Sequence, residues 1–565
     1  MSEPKKNGHN GHNGNGHENG NGHSLGAEGI ALKGPSIAET FAGKHLLVTG
    51  VTGFLGKVWL AMVLDHLPEI GRATVVIRPK KGEDADARFQ WIVERSPAFR
   101  PLRAKLGAKA FRKLIREKIR VLEAKLVEPL CGLSEAEADA ILTDVDAVVH
   151  FAGLTDFEPD PQMAIDANIH GAQHAADLAA RSRGKRYIHV STTFVAGRRS
   201  TTIEESIEVG VSPNGTTFDP EEELRTLEEG IAAQETKSQR IDYAMDRAEA
   251  LGWPNIYTYS KALSEHLIET REDVTTTTFR PAIVECARNY PFEGWNEGIN
   301  TSGPLVWLLS TTFQRFPARE TNNFDIVPVD TVARSMVLVV ADALRDRAEA
   351  IYQCGSSDVN PFTFRRAVEL TGIGIRRMYA RRGDDFEKKV LSKLDPICAE
   401  PDPNEVFGHR RMRLVARATR KFLRKFKLQE NVSPKLYDKI DGPKLDEKLR
   451  KFSMDCRTTD RKLGQVDDML RVYLPFVNEI AYVFRTGHLV AATERLSDEE
   501  RELFGFDVAD VCWRDYWVKI QVPGLDKWSL PLLRNEKVPD DPPFEETEEL
   551  DATAENESAP LRATA

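Results

Sequence analysis

At 565 residues, with 41% hydrophobic and 29% charged side chains, the chain has the composition of a folded protein too long for one ordinary core, which predicts two domains with tails. A net charge of −10 argues against nucleic acid as the main partner, since phosphate neutralisation needs a cationic surplus. The six cysteines are far apart, without a Cys-x-x-Cys pair, so no zinc or other metal site and no disulfide framework is expected, and a reducing, cytoplasmic compartment fits.

Residues 5–24 are almost all Gly, Asn and His and cannot bury enough apolar surface to offset the entropy of ordering. Residues 1–40 are therefore expected to form a disordered tail, with His9, His12, His17 and His23 read as part of a solvated linker rather than as metal ligands. The segment lacks the apolar core of a signal peptide, and no stretch approaches the roughly 18 apolar residues of a membrane span. From Asp540 to Glu557 there are nine acidic and no basic residues, so residues 536–565 are expected to be a second, acidic tail.

Between the tails, apolar runs alternate with helical segments. His45–Thr49, Ala73–Ile77, Ala147–Phe151, Arg186–Val190 and Thr276–Phe279 read as strands, and strands separated by helices predict an α/β fold with a Rossmann-type, doubly wound parallel sheet. The strand signal fades beyond residue 365, where the chain becomes helical and charge-rich. The expected layout is a dinucleotide-binding catalytic domain at 41–365 and a mostly α-helical domain at 366–535.

Directly after the first strand stands Thr49-Gly50-Val51-Thr52-Gly53-Phe54-Leu55-Gly56. Glycines there let the backbone approach a pyrophosphate, and the following helix offers its N-terminal dipole to the anion. The second strand runs into Arg78-Pro79-Lys80-Lys81, where an NAD site usually places an acid for the ribose hydroxyl. Cations at this point suit the 2′-phosphate of NADP, and Arg78 is the stronger candidate because it follows the strand directly.

Tyr257 and Lys261 stand in a Tyr-x-x-x-Lys spacing, which puts both on one helix face and turns Tyr259 away. A nearby ammonium is expected to lower the phenol's pKa and make Tyr257 a usable proton donor. A hydroxyl at the end of a central strand would complete the set, and Ser191, Thr192 and Thr193 all qualify. The spacing to Gly197, compared with related dehydrogenases, favours Thr192.

The ordered set GVTGFLGKV, VVHFAG, HVSTTFVAG, IYTYSKALSEHLI and FRPAIVE resembles the landmarks of fatty acyl-CoA reductases, extended short-chain dehydrogenases whose bacterial members form alcohols. Residues 41–365 carry the resemblance well and the rest more loosely. It implies that Tyr257 is the acid, Lys261 its modulator and a ribose ligand, and Thr192 the carbonyl-orienting hydroxyl. It implies further that Gly50, Gly53 and Gly56 hold the cofactor phosphates, with Thr49, Thr52, Phe54, Leu55, Gly153, Pro281 and Ile283 around the dinucleotide. Asn168 is read as mainly structural. The implied reaction is NADPH-dependent reduction of long-chain fatty acyl-CoA to a primary alcohol through a fatty aldehyde. Rival readings are a reductase that stops at the aldehyde or takes a carrier-protein thioester, a sugar-nucleotide epimerase, and an NADP-binding redox sensor without turnover. Oligomeric state is left open.

One stretch stands apart. From Arg410 to Leu428 there are nine Lys/Arg and no acids, with Leu414, Ala418, Phe422 and Phe426 repeating every four residues. A helix here would carry an apolar stripe between cations. Three readings compete: a packed surface helix, a membrane-surface element, and a cradle for coenzyme A phosphates or an acidic acyl carrier protein.

Overall fold

The computed structural model describes residues 34–79, 82, 84–299, 302–311, 314–381, 393, 395–399, 409–534 and 536–538. The Gly/Asn/His run, the acidic segment 540–557, Lys80 and Lys81 lie outside these residues.

Seven strands make the central sheet: β1 (His45–Thr49), β2 (Arg72–Ile77), β3 (Ile119–Glu123), β4 (Ala147–His150), β5 (Arg186–Val190), β6 (Thr275–Pro281) and β7 (Ile351–Cys354). Their order is β3-β2-β1-β4-β5-β6-β7 and every pairing is parallel. Leu46, Leu47 and Val48 of β1 are wholly buried because helices cover both faces of the sheet. One of these is α1 (Phe54–His66). It packs against α2 (Val329–Leu344), which carries the apolar run at Met336–Leu344. The strand order reverses direction between β1 and β4, and a crevice opens there at the carboxyl ends of the strands, where doubly wound sheets bind ligands.

Two expected boundaries shift. Residue 40 falls inside a helix, Ile37–Phe41, capped by a reciprocal Ser36–Glu39 box and anchored by buried Ile37 and Phe41. Regular structure is therefore present before the boundary that composition suggested. Nor does the line at residue 365 separate two cores. Trp517 is fully buried in the same apolar cluster as α1 and α2, and its indole donates to Thr371 Oγ1 at 2.9 Å. Val483–Phe484 pairs in parallel with Thr202–Ile203. Apolar residues of the last part of the chain, including Val522, Leu525 and Leu530, complete a core begun by the first.

Three more helices matter below: α3 (Ile256–Glu269), α4 (His409–Lys425) and α5 (Gly442–Leu474). Among the described residues no helix is long and apolar enough to cross a membrane.

Candidate active site

The glycine turn is a cradle that tolerates no larger residue. Gly50 takes φ +74°, and a Cβ there would lie 2.5 Å from the Ala152 amide nitrogen. At Gly56 a Cβ would lie 2.5 Å from the Gly50 carbonyl oxygen, so α1 can sit this close to the turn only without a side chain. Gly53 is the N-cap of α1 and offers no side chain to its first N–H groups. Gly50, Gly53, Phe54, Leu55 and Gly56 all line a cavity of about 810 Å³, within the usual range for a small-molecule site. Close backbone approach and an open helix N-terminus fit the pyrophosphate of a dinucleotide.

Gly153, Pro281 and Ile283 line the same cavity. Thr49 and Thr52 are not among the lining residues. Thr49 is buried, bonded through Oγ1 to His150 Nδ1 at 2.9 Å, and accepts from the Ala152 amide at 3.3 Å, so it ties the ends of β1 and β4 together. Thr52 is half-buried. Arg78 stands exposed just beyond β2, away from the cavity lining, where its carbonyl accepts from Arg88.

Asn255 caps α3, its side chain accepting from the Thr258 amide at 2.8 Å, and so fixes the turn that carries Tyr257. Tyr257 and Thr192 both line the cavity wall, and the Thr192 hydroxyl acts to lower the pKa of the Tyr257 phenol. Thr192 also caps the short turn Thr193–Ala196, accepting from the Phe194 amide at 3.3 Å. Ser191 lines the cavity too, but neither its hydroxyl nor the buried hydroxyl of Thr193 has a partner among the described residues. Of the three hydroxyls, Thr192 is the one brought to Tyr257.

Lys261 lies one turn on from Tyr257 and also lines the cavity, with Nζ donating to the Val190 carbonyl at 2.8 Å and lying 3.4 Å from His189 Nε2. Here the expected electrostatics need correction. Burial pushes the Tyr257 phenol up to about 12, and only the Thr192 hydroxyl pulls it down. The ammonium exerts no resolved pull on the phenol because it is turned into the β5 carbonyl. Its own pKa is lowered to about 8 by burial, against a partial raise from Glu265. His150 and His189, stacked with centroids 5.7 Å apart, are held neutral by burial. Glu265 in turn is locked to Arg280, whose Nε lies 3.0 Å from Oε1.

Tyr259 points the other way, into a separate apolar cluster with Trp253, and its hydroxyl donates to Glu223. Asn168 binds the Leu154 backbone through both ends of its carboxamide and donates to Ser260 Oγ at 2.9 Å, which holds the loop after β4 against α3.

Sequence reading missed the far wall. Phe157 stacks on Tyr257 with centroids 5.8 Å apart and meets Tyr473 and Phe476, at the end of α5 and just beyond it. Phe194 and Phe476 also touch edge to face. These rings come from three distant segments with no local pattern. They give the cavity a dinucleotide-shaped side of glycines and an apolar side of aromatic faces.

Residues 48–336 match the family described as Male sterility protein (NAD_binding_4). An alcohol-forming fatty acyl-CoA reductase of Simmondsia chinensis is 28% identical over 87% of this chain and 98% of its own length. Fatty acyl-CoA reductase 2, chloroplastic, of Arabidopsis thaliana is 25% identical over 88% of this chain and 80% of its own. Among solved structures, the reductase domain of a non-ribosomal peptide synthetase from Mycobacterium tuberculosis aligns with a TM-score of 0.44 and 16% identity, over 83% of this chain and 88% of that one. With the matched segment running from β1 through half of α2 and spanning the glycine cradle, Thr192, Tyr257 and Lys261, the chain belongs to the NAD(P)-binding Male sterility protein family.

Proposed function

We propose that this oxidoreductase uses NADPH to reduce long-chain fatty acyl-CoA to a primary fatty alcohol through the aldehyde. The observation that carries the reading is that Tyr257 and Thr192 line one cavity together, where the glycine cradle meets an aromatic wall. A redox sensor needs a cradle but no proton donor. The relatives in Simmondsia and Arabidopsis are named for acyl-CoA reduction, and the aromatic wall suits an apolar chain better than a sugar.

When bound in the cradle, NADPH would supply hydride to the thioester carbonyl carbon and, after loss of coenzyme A, to the aldehyde carbon. The protein's share is to orient the carbonyl and supply the proton. Thr192 donates a hydrogen bond to the carbonyl oxygen. Tyr257, kept protonated by burial, delivers its proton as negative charge develops on that oxygen. Lys261, charged below about pH 8 and lining the same cavity, would hold the cofactor ribose. The protonated hemithioacetal collapses by breaking its C–S bond, releasing coenzyme A as the thiol and leaving the aldehyde. Reduction of the aldehyde repeats the proton delivery and ends at the alcohol. Incubation with acyl-CoAs of graded length tests this: two NADPH consumed per coenzyme A released, with alcohol as product, is the expected result. One NADPH and accumulating aldehyde would overturn the second step.

The choice of NADPH rests on Arg78, exposed directly after β2 with no acid beside it in the chain. Arg78→Ala removes a charge-assisted contact to the 2′-phosphate worth roughly 1.5–3 kcal/mol. NADPH affinity should fall about ten-fold or more by that measure, with NADH binding little changed. Equal wild-type efficiency with the two cofactors would contradict this choice.

A further inference from the structure

The helix α4 packs on α5 by one side, while its apolar stripe faces outward. Leu414, Val415 and Phe422 are 64%, 64% and 62% exposed, and Ala418 between them is exposed as well. The opposite side of α4 packs on α5 through buried Ala416. Arg413 and Arg417 both reach Asp460, and Arg413 lies beside Gly464. The two helices therefore run antiparallel as a hairpin.

The hairpin's outward surface combines two features that proteins seldom leave together. Its apolar side chains are large, with Leu414, Val415 and Phe422 all mostly exposed. Phe422 stacks on Phe426 with centroids 5.5 Å apart, so the two rings form one apolar plate. At 100° per residue, Lys421 borders the sector of Leu414, Ala418 and Phe422, and Lys425 falls within it. Among the described residues no ion pair engages Lys421 or Lys425, whereas Arg420 and Arg424 project on the side of Arg413 and Arg417, which pair with Asp460 of α5.

Coenzyme A phosphates or an acidic carrier would match these cations but leave the Phe and Leu side chains in water. An apolar protein groove would match the rings but desolvate the cations. An anionic phospholipid surface matches both at once, with headgroups for the ammonium groups and the acyl boundary for the rings. From this we infer that the α4–α5 hairpin is a peripheral docking element for an anionic bilayer. α5, about 50 Å long at 1.5 Å per residue, joins this surface to the cavity, since Val472 and Tyr473 at its other end line the site. The inference stands on the hairpin alone and does not depend on which reaction the cavity performs.

The test is co-sedimentation of the full-length protein with vesicles of mixed phosphatidylcholine and phosphatidylglycerol, beside phosphatidylcholine alone, at low and high salt. Binding should require the anionic lipid and weaken as salt shortens the Debye length. Changing Lys421 and Lys425 together to Gln should lower partitioning about 20-fold, at about five-fold per cation. The pair Leu414→Ser and Phe422→Ser should lower it about ten-fold or more through lost insertion. Both variants should keep the wild-type melting temperature and circular dichroism, which shows that they fold. Absence of wild-type binding, or binding unmoved by either variant, overturns the inference. So does a raised KM for acyl-CoA in the Gln variant without vesicle binding, which would assign the cations to the thioester. Binding that emerges only after residues 540–565 are removed would make the acidic segment the occupant instead.

Discussion

Tyr257→Phe is expected to lower turnover by about 10²–10⁴, the usual worth of a positioned general acid, while leaving NADPH binding nearly intact. The hydroxyl is the only part removed, and Tyr257 stands with Thr192 on the cavity wall. Without it, charge developing on the substrate oxygen finds no proton within reach, and Thr192 alone can only orient. The cradle that would hold the cofactor is formed by backbone at Gly50, Gly53 and Gly56 and is untouched. Tyr259→Phe is the control. Its hydroxyl donates to Glu223, which Arg247 still pairs, in a cluster away from the site. That change should cost some stability but little turnover. Steady-state kinetics and NADPH fluorescence titration on both variants decide the matter, and equal impairment of turnover would show that the wrong tyrosine has been chosen.

Lys261→Met should do two opposite things: abolish most activity and stabilise the ligand-free fold near neutral pH. Burial holds the lysine near pKa 8, against an ordinary 10.5. Below pH 8 it is charged both folded and unfolded, and the fold bears the full cost of burying that charge. Between pH 8 and 10.5 the folded form gives up its proton first, so wild-type stability rises with pH. Above that window the amine is neutral in both states and the cost is gone. A shift of this size corresponds to roughly 3 kcal/mol, offset by about 1 kcal/mol for the lost hydrogen bond to the Val190 carbonyl. Methionine of similar length should therefore raise Tm at pH 7, with the advantage over wild type shrinking as pH climbs through 8 towards 10.5. Thermal unfolding of both proteins across that range checks it. A variant less stable at every pH would mean that the ammonium is compensated by groups other than Glu265 and the Val190 carbonyl. A cost retained in the fold for the sake of chemistry is common at active sites.

Five of the seven strands were legible because strands buried on both faces are continuous apolar runs. β3 was missed because at the sheet edge its residues alternate with charged ones and are only half-buried. β7 was missed because Gln353 interrupts a very short run. That side chain is buried only by virtue of accepting carbonyls at Ile203 and Arg485, which are far away in the chain. The same distinction governs the site. The glycine turn and the Tyr257/Lys261 spacing are local, so they could be read. Spacing to Gly197 already favoured Thr192 over its neighbours, whereas the aromatic wall of Phe157, Tyr473 and Phe476 needed the fold. The direction of the ammonium was also invisible, since spacing shows that two side chains share a face but not what each one touches. For α4 the four-residue repeat revealed a stripe, but only packing against α5 showed that the stripe faces outward.

The measurement that bears most directly on the central claim uses NADPH deuterated at the transferred position of C4, a long-chain acyl-CoA and mass analysis of the product. Two reductions at one carbon, in the cavity walled by Thr192 and Tyr257, should yield a primary alcohol with two deuterium atoms at C1, and the Tyr257→Phe protein should yield almost none. A singly labelled aldehyde as the end product, or no label in any acyl-derived product, would contradict the account.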